Sequence, residues 1–252
     1  RWRGQVSGDG LSGRALVERL VMPLGDSGHA AELSGELALT VDGTTGALRF
    51  EPDALAVEAP GALPGPVVLD SGAVRYQAGR VHFDGLELAT LDGLVRLTGD
   101  ASPATLTAEL TANWSGLAYP ATVTHSGELT VDVNRTRPGR RSITAGAEVT
   151  GEARGEPWRG KLDLALTGRK WDQLAGTIAA RDLVWGPPGD PHPLADLAAR
   201  LELTPKRLTL DNLELSGGPN AGQLSGQASM DLASKQWAAS LAAEAVQLPE
   251  LP

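Results

Sequence analysis

The sequence predicts an all-β protein built on a long antiparallel sheet. Three observations carry that expectation. Apolar and polar residues alternate with period two, turn-forming pairs return every 8–12 residues, and a stretch of 29 residues recurs within the chain. Residues 74–102 lie over 201–229 without a gap at an offset of 127. Arg80, Asp84, Leu86, Glu87, Leu88, Leu97, Gly99, Ala101 and Ser102 recur as Arg207, Asp211, Leu213, Glu214, Leu215, Leu224, Gly226, Ala228 and Ser229. A repeat of this length places function on a surface that extends with copy number, rather than in one compact pocket.

The strands follow from the alternation. Leu37, Leu39 and Val41 fall on one side of 36–41; Leu129, Val131 and Val133 do so in 128–133. Leu162, Leu164 and Leu166 oppose Lys161, Asp163 and Thr167, and Leu201 and Leu203 alternate with Arg200 and Glu202. Each pattern is that of a half-buried antiparallel strand. Arg14–Met22 and Leu194–Leu201 have enough apolar character for short helices, but the surrounding periodicity favours strands. Turns are expected at Asp42-Gly43, Glu51-Pro52-Asp53, Asp84-Gly85, Asp92-Gly93, Pro138-Gly139 and Pro205-Lys206. In both repeat copies the apolar phase flips at Asp84-Gly85 and Asp211-Asn212, and a bulge or tight turn there restores a single apolar face. Leu48–Val57 reads as a looser third copy. Pro120, Pro187 and Pro249 each follow a strand that ends in a large apolar residue, and the proline-rich stretch 186–193 reads as a crossing loop.

Composition narrows the function. The chain has 252 residues, 41% hydrophobic and 21% charged, so it is globular and not disordered. It reads as a single β-repeat segment over 1–252, a piece of a longer protein, since Arg1 opens it and Pro252 falls mid-pattern. Phe and Tyr occur only twice each; the apolar pattern is aliphatic. With no cysteine there is no thiolate chemistry and no Cys-ligated zinc. A net charge of −9 gives nucleic acid no basic face, and the basic run Arg135–Arg141 reads as a solvated hairpin tip. No apolar run is long enough for a spanning helix.

Catalytic and cofactor motifs dissolve on inspection. Gly8-Asp9-Gly10-Leu11-Ser12-Gly13 has the dinucleotide spacing but is followed by hairpin-like alternation, not a βαβ unit. His29, His82, His125 and His192 are scattered, and only His82 has a nearby carboxylate, Asp84; its aligned counterpart is Thr209. The Asp84/Glu87 and Asp211/Glu214 pairs read as turn formers and solvated face residues, not as an acid–base dyad. The reading is therefore non-enzymatic, with no cofactor and no metal. The tryptophans lie mostly at strand ends, as plugs, rim residues or interfacial lipid contacts.

Residues 221–249 and 206–215 carry a family resemblance. Leu208, Leu210, Leu213 and Leu215, then Gly222, Leu224, Gly226 and Ala228, then Trp237, Leu241, Leu248 and Pro249 form a pattern similar to the degenerate β repeats of the TamB and AsmA-like envelope proteins of diderm bacteria. The resemblance implies a long antiparallel sheet curled into an open groove with an aliphatic interior. It implies a periplasmic, inner-membrane-anchored protein that conducts phospholipid or another acyl-chain lipid to the outer membrane, with an outer-membrane partner of the BamA-like class. A strand of about 7 residues spans about 23 Å, enough to shield one leaflet's depth of acyl chain, about 15 Å. The expected lining is Leu129, Val131, Leu162, Leu164, Leu166, Leu201, Leu203, Leu208 and Leu210. A β-sandwich or β-solenoid serving as a structural or adhesion module is the alternative. Exposed sheet edges are expected to let the chain pair edge to edge with itself.

Overall fold

The computed structural model describes residues 1–23, 30–60, 65–118, 123–137, 140–170, 172–216 and 223–244. His29, the Pro138-Gly139 turn, Pro120 and Pro249 lie outside them. The described residues are all-β, with no helix, and form an open antiparallel sheet of seventeen strands. The strands are β1 (Trp2–Ser7), β2 (Gly10–Pro23), β3 (Ala30–Asp42), β4 (Leu48–Glu58), β5 (Val67–Gln77), β6 (Arg80–Thr90), β7 (Gly93–Ser102) and β8 (Thr107–Ala118). They continue as β9 (Val123–Arg137), β10 (Arg140–Ala153), β11 (Glu156–Lys170), β12 (Gln173–Trp185), β13 (His192–Pro193), β14 (Asp196–Leu203), β15 (Arg207–Ser216), β16 (Gln223–Asp231) and β17 (Trp237–Glu244). Pairing follows chain order, with β12 also pairing β14 past the two-residue β13. Among the described residues no ladder closes the sheet into a barrel. The chain divides into two compact units, Arg1–Ser126 and Gly127–Pro252.

Of the regions read as strand or helix, Arg14–Met22 falls in β2 and residues 196–201 in β14, so both are strand, with Leu194 and Ala195 in the connection before β14. The glycine-rich Gly8–Gly13 segment is a hairpin: Gly8 and Asp9 turn, and Ser7 pairs Gly10. Two expected turns are not turns. Asp84-Gly85 lies inside β6, where the β6–β7 ladder jumps from Phe83↔Gly99 to Leu86↔Leu97. Gly85 has φ +62 there. Glu51-Pro52-Asp53 lies inside β4, where Ala54 has φ +53 and Pro52 falls in a gap of the β4–β5 ladder. A proline without an N–H fits such a gap. Asp211-Asn212 repeats the device, with Asn212 at φ +49 and the ladder jumping from Leu210↔Ala228 to Leu213↔Gly226. The phase flip seen in the sequence is thus a β-bulge with a left-handed residue, in β4, β6 and β15 alike. The stretch 186–193 is also no crossing: it returns β12 to β14, its antiparallel neighbour.

The repeat extends well beyond 74–102. The same offset of 127 carries Val74↔Phe83 onto Leu201↔Leu210 and Tyr76↔Val81 onto Leu203↔Leu208. It carries the irregular pair Ser71↔Glu87, Ala73↔Asp84 onto Ala198↔Glu214, Arg200↔Asp211. It also lays Pro60, Pro64 and Pro66 on Pro187, Pro191 and Pro193. Each unit therefore contains one copy of the same multi-strand stretch. The copies diverge in places by two residues: Val81 pairs Ala101, whereas Leu208 pairs Met230 rather than Ala228. A shift of two leaves every side chain on its face; a shift of one would not.

Two hairpin loops share one geometry. Asp42 closes 42–47 by accepting from the Thr44 and Thr45 N–H groups on Oδ1, at 2.8 and 3.0 Å. Asp231 closes 231–236 through the Ala233 and Ser234 N–H groups at 3.1 and 2.8 Å. Gly46 and Lys235 take positive φ at the fifth loop position. These donors stabilise the charged form and hold both carboxyls below the usual value of 3.8, chiefly through Thr45 and Ser234.

Two outcomes are expected. Gly72 has φ +91, and a Cβ there would sit 2.3 Å from the Gly85 carbonyl oxygen, whereas Gly79 at φ +79 has nothing within 4 Å. Gly72→Ala should lower stability by at least about 2 kcal/mol in urea titration, and Gly79→Ala by only about 1 kcal/mol. Because the two aspartates are more acidic when folded, their contribution is present above pH 3.8 and is lost as pH falls through their lowered values. A double Asp42→Ala, Asp231→Ala variant should be less stable at neutral pH and should show a shallower acid limb.

Candidate functional site

The face that the alternation builds is continuous within each unit. In unit 2 the ladders align Ile143, Leu166, Gly176, Leu201, Leu210, Ala228 and Ala239 in one cross-strand row. A second row holds Arg141, Gly168, Leu174, Leu203, Leu208, Met230 and Trp237. Leu164 and Ile178 pair on the same face, as do Leu162 and Ala180. In unit 1 the corresponding row runs Leu39, Phe50, Val74, Phe83, Gly99 and Leu110. Such rows are the unit of sheet stabilisation, since side chains directly opposite each other touch.

All nine expected lining residues fall on this face of unit 2. Seven do so by register. Leu129 and Val131 do so by parity, because Thr130 between them lies on the opposite face: a Cβ on Gly146 would sit 3.7 Å from the Thr130 hydroxyl and 3.9 Å from the carboxylate of its pair Asp163. Ile143, Leu174 and Ile178 belong to the same cluster and were not picked out from sequence. Their strands dilute the leucine signal: β12 alternates Leu174, Gly176, Ile178 and Ala180, and β10 alternates Ile143, Ala145 and Ala147.

Burial on this face is incomplete. Leu166, Leu174 and Leu201 are 6%, 3% and 9% exposed, but Leu162 is 46% exposed and Leu241 58%. Among the described residues no large side chain falls below 2% exposure. Two sheets packed face to face would seal such rows between them. A half-exposed leucine forgoes about 1 kcal/mol of the burial energy available to it.

The opposite face is polar and paired. Lys161 reaches Glu148 at 3.5 Å and Asp182 at 3.4 Å, and Arg181 approaches Asp163 at 3.7 Å. Asp182, then Glu148, raises the Lys161 pKa above its ordinary value. Lys161, Glu148 and Asp182 border an open cleft of about 790 Å³ with Leu183, Val184 and Leu194. In unit 1, His82 pairs across the strands with Asp100 at 3.0 Å, not with Asp84, which faces Arg75 at 3.8 Å. Glu87 accepts from the Ser71 hydroxyl at 2.7 Å, so Asp84 and Glu87 do not form a unit. Among the described residues no charged or polar side chain is buried, and no three His, Asp or Glu groups gather as a metal site. The chemistry on offer is apolar contact area, bordered by solvated charge.

Comparison with known proteins finds no family model, no curated protein and no solved structure that matches this chain.

The uneven burial gives a direct expectation. Leu166→Ala should cost about 2–4 kcal/mol, because it empties a packed position, whereas Leu162→Ala should cost less than about 1 kcal/mol. Urea unfolding of the two variants reads the difference; equal losses would mean that the face is sealed at Leu162.

Proposed function

We propose that the chain is a non-enzymatic, lipid-conducting segment of a cell-envelope protein. Its apolar face shields phospholipid acyl chains on their way between the inner and outer membranes, in the periplasm, in support of outer-membrane biogenesis. The observation that carries this reading is the run of largely aliphatic rows on one face, packed at Leu166, Leu174 and Leu201 but open at Leu162 and Leu241, beside a polar, ion-paired opposite face. An aliphatic lining gives contact area without a fixed shape, which suits disordered tails. Each CH₂ that leaves one site regains about 0.8 kcal/mol at the next, so a continuous stripe lets a tail slide where a deep pocket would trap it. The repeated unit extends such a stripe by adding copies. The resemblance to TamB and AsmA-like repeats points the same way, and with it to inner-membrane anchoring and a BamA-like partner.

The test uses the position that tolerates a charge best. Leu162→Asp, at 46% exposure, should leave the protein folded. It should slow transfer of a fluorescent phospholipid between vesicles at least about tenfold, since an unpaired carboxylate cannot enter hydrocarbon cheaply. Thr167→Asp, on the opposite face of the same strand, should leave transfer unchanged. Equal transfer by the two folded variants would refute the conducting face, and a structural or adhesion role would then be the better account.

A further inference from the structure

The apolar face of unit 2 is not the same from end to end. At the end of the ladders near β14's start, Trp158 of β11 pairs directly with Trp185 of β12. By register both indoles lie on the leucine face, and both are half-buried. The same end carries Glu156, which pairs Ala153 on that face, and His192, which pairs Trp185 and lies 3.8 Å from Asp190. At the opposite end the row runs Arg141, Gly168, Leu174, Leu203, Leu208 and Met230, with its one charge on β10 and only apolar side chains from β12 to β16.

The two indoles are also chemically open. Trp114 spends its N–H on His125 Nδ1 at 2.8 Å. Neither Trp158 nor Trp185 has a hydrogen-bond partner for its N–H among the described residues, and no buried side-chain nitrogen there is unsatisfied, so both N–H groups are reachable from outside. Tryptophan with an apolar body and an accessible donor settles where hydrocarbon meets polar groups. The distance fits as well: from the Trp158 row to the Leu162 and Leu164 rows and on to Leu166 is eight residues, about 26 Å, which holds a chain of about 15 Å.

We infer that Trp158 and Trp185 form a polar-end subsite, which holds a glycerophospholipid by its ester carbonyls and lays the acyl chains from there across Leu162 and Leu164 toward Leu174. The inference rests on the lipid-conducting reading and fixes the orientation of the ligand within it. The indole N–H groups donate to the ester carbonyls, Glu156 and Asp190 lie beyond them on the headgroup side, and the aliphatic rows take the tails.

The experiment uses the unmodified full chain, labelled with ¹⁵N and loaded with phosphatidylcholine that carries a nitroxide either near the ester carbonyl or near the tail's methyl end. Native mass spectrometry first reports whether lipid is bound. The carbonyl-side label should broaden the Trp158 and Trp185 indole N–H resonances at least about threefold more than the tail-end label. Trp158→Phe with Trp185→Phe, which keeps the rings but removes the donors, should weaken lipid retention by about three- to tenfold. Bound lipid with stronger broadening from the tail-end label, or with no broadening of either indole, overturns the subsite alone. No bound lipid overturns the conducting reading and the subsite with it.

Discussion

A sheet that buries side chains on one face only must never lose phase. A slip of one residue in any strand would carry its whole apolar set to the wrong side. This chain meets the constraint with bulges. Ala54 in β4, Gly85 in β6, Asp182 in β12 and Asn212 in β15 each take a left-handed backbone conformation, and each sits where a ladder skips a residue. Before and after the bulge the apolar side chains share a face, although their parity in the sequence changes. Bulges also bend and twist the strands that carry them. The one device therefore keeps the face continuous and supplies local curvature.

The duplication takes its meaning from the same constraint. The two units agree best around the bulges: Ser71↔Glu87 and Ala73↔Asp84 recur as Ala198↔Glu214 and Arg200↔Asp211. They disagree where disagreement is harmless, in the two-residue shift between β6–β7 and β15–β16. Residue identity along the rows is loose, since Phe50 and Phe83 in unit 1 stand where unit 2 has glycine and leucine. What is held constant is parity, as expected if the shared property is a surface and not a set of reactive groups.

Much of this was legible in the sequence. Strong alternation in 36–41, 160–168 and 200–203 gave the strands and their faces, because period two has few other causes. The phase flip at Asp84-Gly85 and Asp211-Asn212 pointed to the bulges. The turn assignment at Asp84-Gly85 and Glu51-Pro52-Asp53 failed because Asp, Gly and Pro serve left-handed and donor-free positions in bulges as readily as in turns. The weaker strands hid part of the face: Ile143, Leu174 and Ile178 alternate with alanine and glycine, which register as neither apolar nor polar. Trp158 and Trp185 are 27 residues apart in sequence, and only the β11–β12 register makes them neighbours.

The energetic question is what covers the aliphatic rows. Leucines at 46% and 58% exposure leave part of their burial energy unrealised in water. Acyl chains fit the lining's chemistry and its breadth. The most direct measurement is native mass spectrometry of the purified protein without added lipid. The account predicts adducts of phospholipid mass that disappear on denaturation. A clean protein mass, together with no uptake of an apolar fluorescent dye by the folded protein, would mean that the face is sealed and would contradict it.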